Sequence, residues 1–454
     1  MKKLYIKTYG CQMNVYDSDR MQDLMNAIGY ENSATPAGAD MVIINTCHIR
    51  EKASEKLFSD LGRIRPYKEK KDGQMIVAVA GCVAQAEGEE IFKRSNVVDI
   101  IVGPESYQTL PDLVGKVLRD KKKQINLDFT PDNKFDILPE SKAGTGASAF
   151  VTVQEGCDKF CTFCVVPYTR GAEYSRDVVK IYDDVLKLAD KGVKEIYLLG
   201  QNVNAYHGID SDGSQANLAK LIEKIAKIDA IKRIRYTTSH PRDMSDDLIT
   251  AHRDIEKLMP FLHLPIQSGA NNVLKMMNRK HTRQDYFKTI EKIRQARPDL
   301  GLSSDFIVGF PGESDKDFAD TLDLVKQIGF TQCYSFKYSP RPGTPSADSK
   351  KQVEEKVKDE RLSYLQKLLS EQQFDFNKKF KDRIIPVLFE KEAPKSLKKS
   401  AITENKIQFW GKSPYLQSVI VDFSDEEMTK KYRGQIVDVE ILQARPSSLF
   451  GKIR

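Results

Sequence analysis

Short apolar runs alternate with longer stretches of helical period from Met1 to about Asp136. The runs are Leu4–Tyr9, Met41–Asn45, Ile76–Ala80 and Val97–Val102, with helical stretches near Ser18–Ile28, Glu51–Arg65, Glu87–Arg94 and Tyr107–Arg119. That alternation predicts a parallel sheet covered on both faces. The segment Glu140–Ser148 is small, polar and glycine-rich and reads as a flexible linker. Strand-then-helix then resumes, with strands expected at Phe150–Gln154, Glu195–Leu199, Arg233–Thr238, Phe261–Pro265, Leu302–Val308 and Thr331–Lys337. Six such units predict a partial α/β barrel, whose chemistry belongs at the carboxyl ends of its strands. A charged stretch from about Lys350 to Lys379 carries Val353, Val357, Leu365, Leu368 and Leu369 on one side, without a strict heptad, and reads as a connecting helix. Beyond it, Ile384–Phe389, Ser418–Phe423 and Ile436–Leu442 suggest a small β-barrel. The fold class is therefore α/β with an all-β tail, divided at residues 1–136, 137–375 and 376–454.

Composition sharpens the reading of that tail. The 454 residues suffice for two to four domains and carry a net charge of +7. The last 79 residues hold 16 Lys or Arg against 10 Asp or Glu, nearly all of the excess. Phe409, Trp410, Tyr415 and Tyr432 are interleaved there with Lys406, Lys412, Lys430, Lys431 and Arg433. Positive charge with stacking surfaces suits RNA; the alternative is a solvated basic surface over an aromatic core. No charged-then-apolar leader opens the chain, and its longest nearly apolar run, Met75 to Ala84, falls far short of the ~20 residues that span a bilayer. A reducing cytoplasm without membrane attachment is the expectation.

Seven cysteines make an odd number, and six of them fall into two groups of three, which fits metal ligation better than disulfides. Cys157, Cys161 and Cys164 lie within eight residues, just after an expected strand. A loop of that shape holds three corners of an iron–sulfur cube and leaves the fourth iron open. A closed zinc site would need a fourth ligand nearby, and the nearest downstream candidates are His207 and Cys333. Cys11, Cys47 and Cys82 each follow one of the first three apolar runs, 36 and 35 residues apart, about one β–α unit. Ligands bind outside the carboxyl ends of open parallel sheets. Three thiols in register there make a second metal site, against the alternative of three inert cysteines.

Three segments together resemble the methylthiotransferase family of radical S-adenosylmethionine (SAM) enzymes: Thr8-Tyr-Gly-Cys-Gln-Met-Asn14, Asn45-Thr-Cys-His-Ile-Arg-Glu-Lys-Ala53 and Gln154-Glu-Gly-Cys-Asp-Lys-Phe-Cys-Thr-Phe-Cys-Val-Val-Pro-Tyr-Thr-Arg-Gly171. The resemblance spans the whole chain, and none of the six Cys positions departs from it. The context of the first two cysteines, and Leu199-Gly-Gln-Asn-Val-Asn204, are similar to the branch acting on dimethylallyl-adenosine in tRNA. Sister branches act on threonylcarbamoyl-adenosine in tRNA or on an aspartate of a ribosomal protein.

The resemblance implies a flavodoxin-like N-terminal domain, a partial (β/α)6 radical SAM barrel and a C-terminal TRAM barrel that binds RNA. It implies two 4Fe-4S clusters. One, on Cys157, Cys161 and Cys164, chelates SAM; the other, on Cys11, Cys47 and Cys82, carries sulfur. Carbon 2 of adenine offers no acidic proton, so a radical from cleaved SAM would take its hydrogen, and a second SAM would methylate the sulfur. The implied partners are a tRNA anticodon stem-loop, a flavodoxin-type electron donor and a sulfur source, acting on a monomer. A reading of another class is an iron–sulfur RNA-binding sensor without turnover.

Around SAM, Gln201 and Asn202 either contact its amino group or cap a strand end. Phe163, and Ile307 in Asp305-Phe-Ile-Val-Gly309, either flank its adenine or belong to the core. Gly309-Phe-Pro-Gly-Glu313 lacks the Lys and Ser/Thr of a phosphate loop. Tyr168 and Arg170 either face substrate or brace the cysteine loop. His240 and His263 end strands at the barrel mouth, as ligand contacts or core residues. Cys333 reads as a small buried hydrophobe.

Overall fold

Met41–Asn45 and Ile76–Ala80 are buried at every position. Alternate side chains go to opposite faces of a sheet: Met41 and Ile43 join a core with Met21 and Tyr107, whereas Val42 and Ile44 join another with Leu57 and Leu61. Continuous apolar runs of this kind mark strands covered on both sides. The molecule is known here as a computed structural model, which describes residues 1–48, 53–129, 134–139, 146–393 and 407–454. Strands β1 (Lys2–Thr8), β2 (Tyr30–Asn32), β3 (Met41–Asn45), β4 (Ile76–Ala80), β5 (Ile100–Val102) and β6 (Gln124–Asn126) form one parallel sheet in the order β2-β1-β3-β4-β5-β6. The sequence reading misses β2 and β6. They are three-residue edge strands, β2 with two exposed positions and β6 with none buried, so no apolar run announces them. Helix α1 (Gln12–Ala27) starts six residues earlier than the expected Ser18, and α3 (Cys82–Glu87) follows β4 after one residue. The helix expected from Glu51 is described from Ala53, as α2 (Ala53–Glu69).

The chain divides into two compact units. The first is built on this sheet and also takes in Glu155–Asp158 and Cys164–Tyr174; the second takes Lys159–Phe163 and Ser175–Arg454, together with the strand Ser148–Thr152. Residues 140–145 of the expected linker lie outside the described residues.

In the second unit six parallel strands, Ser148–Thr152, Glu195–Leu199, Arg233–Tyr236, Phe261–His263, Gly301–Val308 and Gln332–Lys337, pair in sequence order as two ladders of three. A parallel bridge between Ile234 and Leu258 joins the ladders into one arc. Ile196, Leu198, Ile234, Tyr236, Leu302 and Phe306 enter the large core shared with the helices. The connecting helix runs Glu355–Lys378. The tail is a closed five-stranded barrel of Ile384–Glu392, Ile407–Lys412, Ser418–Phe423, Ile436–Ala444 and Ser448–Ile453, as the TRAM resemblance implies. It docks on the arc through two buried arginines. Arg233 donates to the carbonyls of Lys412 and Pro386, and Arg235 to those of Pro414 and Ser413. Glu195 balances Arg235 at 2.8 Å, and Lys412 pairs with Glu390 at 3.1 Å.

Candidate active site

The thiols of Cys11, Cys47 and Cys82 sit beyond the carboxyl ends of β1, β3 and β4, as their spacing predicts. Cys11 is the N-cap of α1 and Cys82 the first residue of α3, so both lie where helix N–H groups favour negative charge. Two glycines let the loops close this tightly. A Cβ on Gly10 (φ +116°) would lie 2.2 Å from Cys47 Cβ, and one on Gly81 (φ +87°) 2.3 Å from Asn45 Oδ1. Asn45 fixes the start of α1 by donating to the Asn14 carbonyl and to Ser18 Oγ at 2.8 and 2.9 Å. A hydrogen bond from Cys47 holds the Cys11 thiol down at about 6; burial opposes that, and the charge of Arg170 adds to it. Burial pushes the Cys82 thiol up, against the pull of Arg170.

Behind these sulfurs runs a chain of buried ions of alternating sign. Asp17 pairs with Arg170 at 2.5 Å, Arg170 with Glu155 at 3.1 Å, Glu155 with Lys134 at 2.5 Å, and Lys134 with Glu105 at 3.3 Å. Arg170 thus braces the segments that flank the Cys157–Cys164 loop within this unit. Tyr168 is about half exposed.

In the loop itself, the Cys157 N–H donates to the Gly171 carbonyl, and Cys164 Sγ accepts from the Val166 N–H at 3.5 Å. In the second unit, Thr162 Oγ1 donates to the Met276 carbonyl at 2.9 Å, and Arg279 Nη1 donates to Cys161 Sγ at 3.5 Å. Sequence reasoning missed Arg279, because only the fold brings it to Cys161. All seven cysteines are thiols. Among the described residues no three His, Cys, Asp or Glu side chains close in at the spacing of a single metal ion. A cubane spreads its ligands over several irons and asks for a wider set.

Around Cys161 the second unit leaves polar atoms buried with no protein partner: Arg279 Nε, His240 Nε2, His281 Nε2, Asn202 Oδ1 and Ser239 Oγ. His240 and His281 meet edge to face at 5.6 Å. Burial holds His240 down at about 2 and His281 at about 4, helped in both by the Arg279 charge, so both rings are neutral. Asn202 donates to Asp243 at 2.8 Å, and Asp243 pairs with Lys159 at 2.8 Å. Gln201, next to it, is half-buried. Phe163 and Ile307 come together against one small core of Ala270, Val273, Met277, Phe310 and Tyr338. His263 shares a 2.9 Å hydrogen bond with Ser303 and lies 3.6 Å from Asp305. Cys333 packs half-buried against the large core, its thiol raised by burial.

The aromatic residues of the tail serve mainly its own packing. Phe409 is buried in the barrel, Tyr432 stacks on Phe423 at 5.5 Å, and Tyr415 packs on Phe376 and Phe380. Trp410 is half-buried, with Lys391 and Lys412 over its ring. Lys430, Lys431 and Arg433 are exposed, and Lys406 lies outside the described residues.

A parallel sheet presenting three thiols, followed by a six-stranded arc with the Cys157 loop after its first strand, defines the radical SAM class of enzyme. Residues 151–325 match the Radical SAM superfamily and residues 3–103 the Uncharacterized protein family UPF0004. The chain is 56% identical to the tRNA-2-methylthio-N(6)-dimethylallyladenosine synthase of Rickettsia canadensis (strain McKiel), over 100% of this chain and 99% of that protein. It is 55% identical to the protein of the same name from Wolbachia pipientis wMel, over 99% of each. The fold also resembles the radical SAM methyltransferase TsrM from Kitasatospora setae, with TM-score 0.55, 11% identity and coverage of 76% of this chain and 75% of that one. The cobalamin-dependent radical enzyme OxsB gives TM-score 0.53 and 13% identity over 81% of this chain and 56% of that one. The chain belongs to the tRNA-2-methylthio-N(6)-dimethylallyladenosine synthase family.

Proposed function

We propose that this chain attaches a methylthio group to carbon 2 of N6-dimethylallyl-adenosine beside the anticodon of tRNA. The presence of two separate three-cysteine sets in one chain, within a family of that name, carries the reading. Cys157, Cys161 and Cys164 would hold one 4Fe-4S cluster with SAM, and Cys11, Cys47 and Cys82 a second. Bound there, these groups supply a carbon radical and a transferable sulfur, chemistry that no side chain of this protein offers.

The chain's own residues bind, orient and exclude water. The orphaned Asn202 Oδ1, Ser239 Oγ, His240 Nε2, His281 Nε2 and Arg279 Nε fit a zwitterionic nucleoside, since buried polar groups without partners are costly unless a ligand meets them. Phe163 and Ile307 offer an apolar wall for its adenine. Neutral imidazoles leave the positive charge beside Cys161 to Arg279 and Lys159. The low thiol pKa of Cys11 favours the thiolate that a metal requires. Among the described residues no helix is long and apolar enough to cross a membrane. A cytoplasmic monomer served by a flavodoxin-type reductant and a sulfur donor completes the reading, with the exposed Lys430, Lys431 and Arg433 meeting tRNA phosphates.

Mass spectrometry of tRNA from cells lacking the gene tests it: the 2-methylthio nucleoside should vanish and its prenylated precursor accumulate. With purified enzyme, an unprenylated stem-loop should bind nearly as well but be modified far more slowly. Equal modification of both, or modification of a ribosomal protein instead, would refute the substrate assignment.

A further inference from the structure

Arg170 lies among the thiols of the first unit. Its side chain is 2% exposed and clamped between Asp17 and Glu155. From there it donates to Cys82, and its charge reaches Cys11 as well; at both sulfurs it outweighs the opposing charge of Asp17. Asp17 turns only one oxygen to Arg170, and its Oδ1 is buried without a partner. A guanidinium held by two carboxylates cannot swing away, and in a dry interior its field is weakly screened. Thiolates and sulfides make a cluster strongly negative, and one-electron reduction adds a further negative charge. A fixed cation beside the ligands favours the reduced form.

We propose that Arg170 is a positioning residue for the Cys11, Cys47 and Cys82 site: a fixed cation that raises the reduction potential of the cluster bound there. Asp17 sets its position and partly offsets its charge. This rests on the assignment of a second cluster to those cysteines.

The test uses the full-length chain with Cys157, Cys161 and Cys164 changed to Ala, reconstituted with iron and sulfide. The midpoint potential is read by redox titration with electron paramagnetic resonance. Asp17→Asn should raise the potential, Arg170→Lys should keep it near the parent value, and Arg170→Gln should lower it. Because Arg170→Gln alone strands buried carboxylates, it is also made together with Asp17→Asn, with folding checked by thermal melting of the apo-protein. This pair should bind full iron and still fall below the parent, since the larger of the two opposing charges is gone. An unchanged potential in the pair at full iron content would overturn the proposal and leave Arg170 a structural brace, as would equal losses in Arg170→Lys and the pair. A parent chain that takes up no iron would fall instead on the assignment of the second cluster, and the proposal would fall with it.

Discussion

The surroundings of Cys11 and those of Cys161 solve different problems. Behind the Cys11 site, Asp17, Arg170, Glu155, Lys134 and Glu105 alternate in sign, each within ion-pair distance of the next. Around Cys161, donors and acceptors on Arg279, His240, His281, Asn202 and Ser239 are buried and unanswered. A site for a cluster needs soft ligands and a fixed field, and both can be completed within the protein. A site for a polar organic molecule must leave its hydrogen-bonding groups open until the molecule arrives. The Cys11 site also leaves Asp17 Oδ1 and Thr46 Oγ1 unanswered, but five such atoms gather around Cys161, and that gathering suits a polar ligand.

The largest effect should come from exchanging whole triads. Cys157, Cys161 and Cys164 changed together to Ala should abolish cleavage of SAM to 5′-deoxyadenosine. Cys11, Cys47 and Cys82 changed together should leave cleavage measurable while methylthio insertion disappears. Either triple change should halve the iron, from about eight to about four for two cubanes. Loss of cleavage in the second variant, with the Cys157-loop cluster spectroscopically intact, would break the division of roles.

Stability should separate the sites next. Lys134→Met leaves buried Glu155 with one cation, Arg170, in place of two, and should cost roughly 3 kcal/mol in urea unfolding, the lower end for breaking a buried ion pair. Ser239→Ala removes an unanswered hydroxyl and should cost less than about 1 kcal/mol. Comparable losses would erase the contrast.

SAM itself should stabilise cluster-loaded protein by about 2.7 kcal/mol at a hundredfold excess over its Kd. Ser239→Ala and His281→Leu should shrink that gain without lowering the melting point of the free protein. A full gain in both variants would remove these residues from the ligand site.

The smallest effect distinguishes a core histidine from these. His252 is buried, shares a 2.7 Å hydrogen bond with Tyr236, and is held down at about 3 by burial and then by Arg297. Because its folded pKa is depressed, its contribution is full above the ordinary value of 6.5 and is lost as pH falls toward 3. By pH 5.5 the loss should be about 1.4 kcal/mol, absent in His252→Gln. Urea midpoints at pH 7.5 and 5.5 check this, and SAM should leave the difference untouched.

What was legible in the sequence was what is local. Met41–Asn45, Ile76–Ala80 and Glu195–Leu199 declared themselves because burial on both faces forces a continuous apolar run. The placing of Cys11, Cys47 and Cys82 at the ends of successive strands was legible in their spacing. The ion chain was not, because Asp17 and Arg170 stand 153 residues apart, and the bracing read for Arg170 came without the partners that hold it. Likewise Arg279 carries no mark of the sulfur it reaches, 118 residues upstream. In the tail Phe409 and Tyr432 follow the aromatic-core alternative, because a barrel this small needs its large rings for its own interior. Tyr168, half exposed, carries no such demand.

The grip of Arg233 and Arg235 on the tail barrel falls on the main-chain oxygens of Pro386, Lys412, Ser413 and Pro414. Every polypeptide offers such oxygens, so much of this attachment is indifferent to which side chains the barrel wears. The barrel's outer surface can therefore drift, or be redesigned, without these contacts loosening. A foreign barrel with the same loop path should keep these four contacts. Among the described residues it needs to replace only the side-chain bonds of Glu390, Lys412, Tyr415 and Gln435, which makes the tail an exchangeable part.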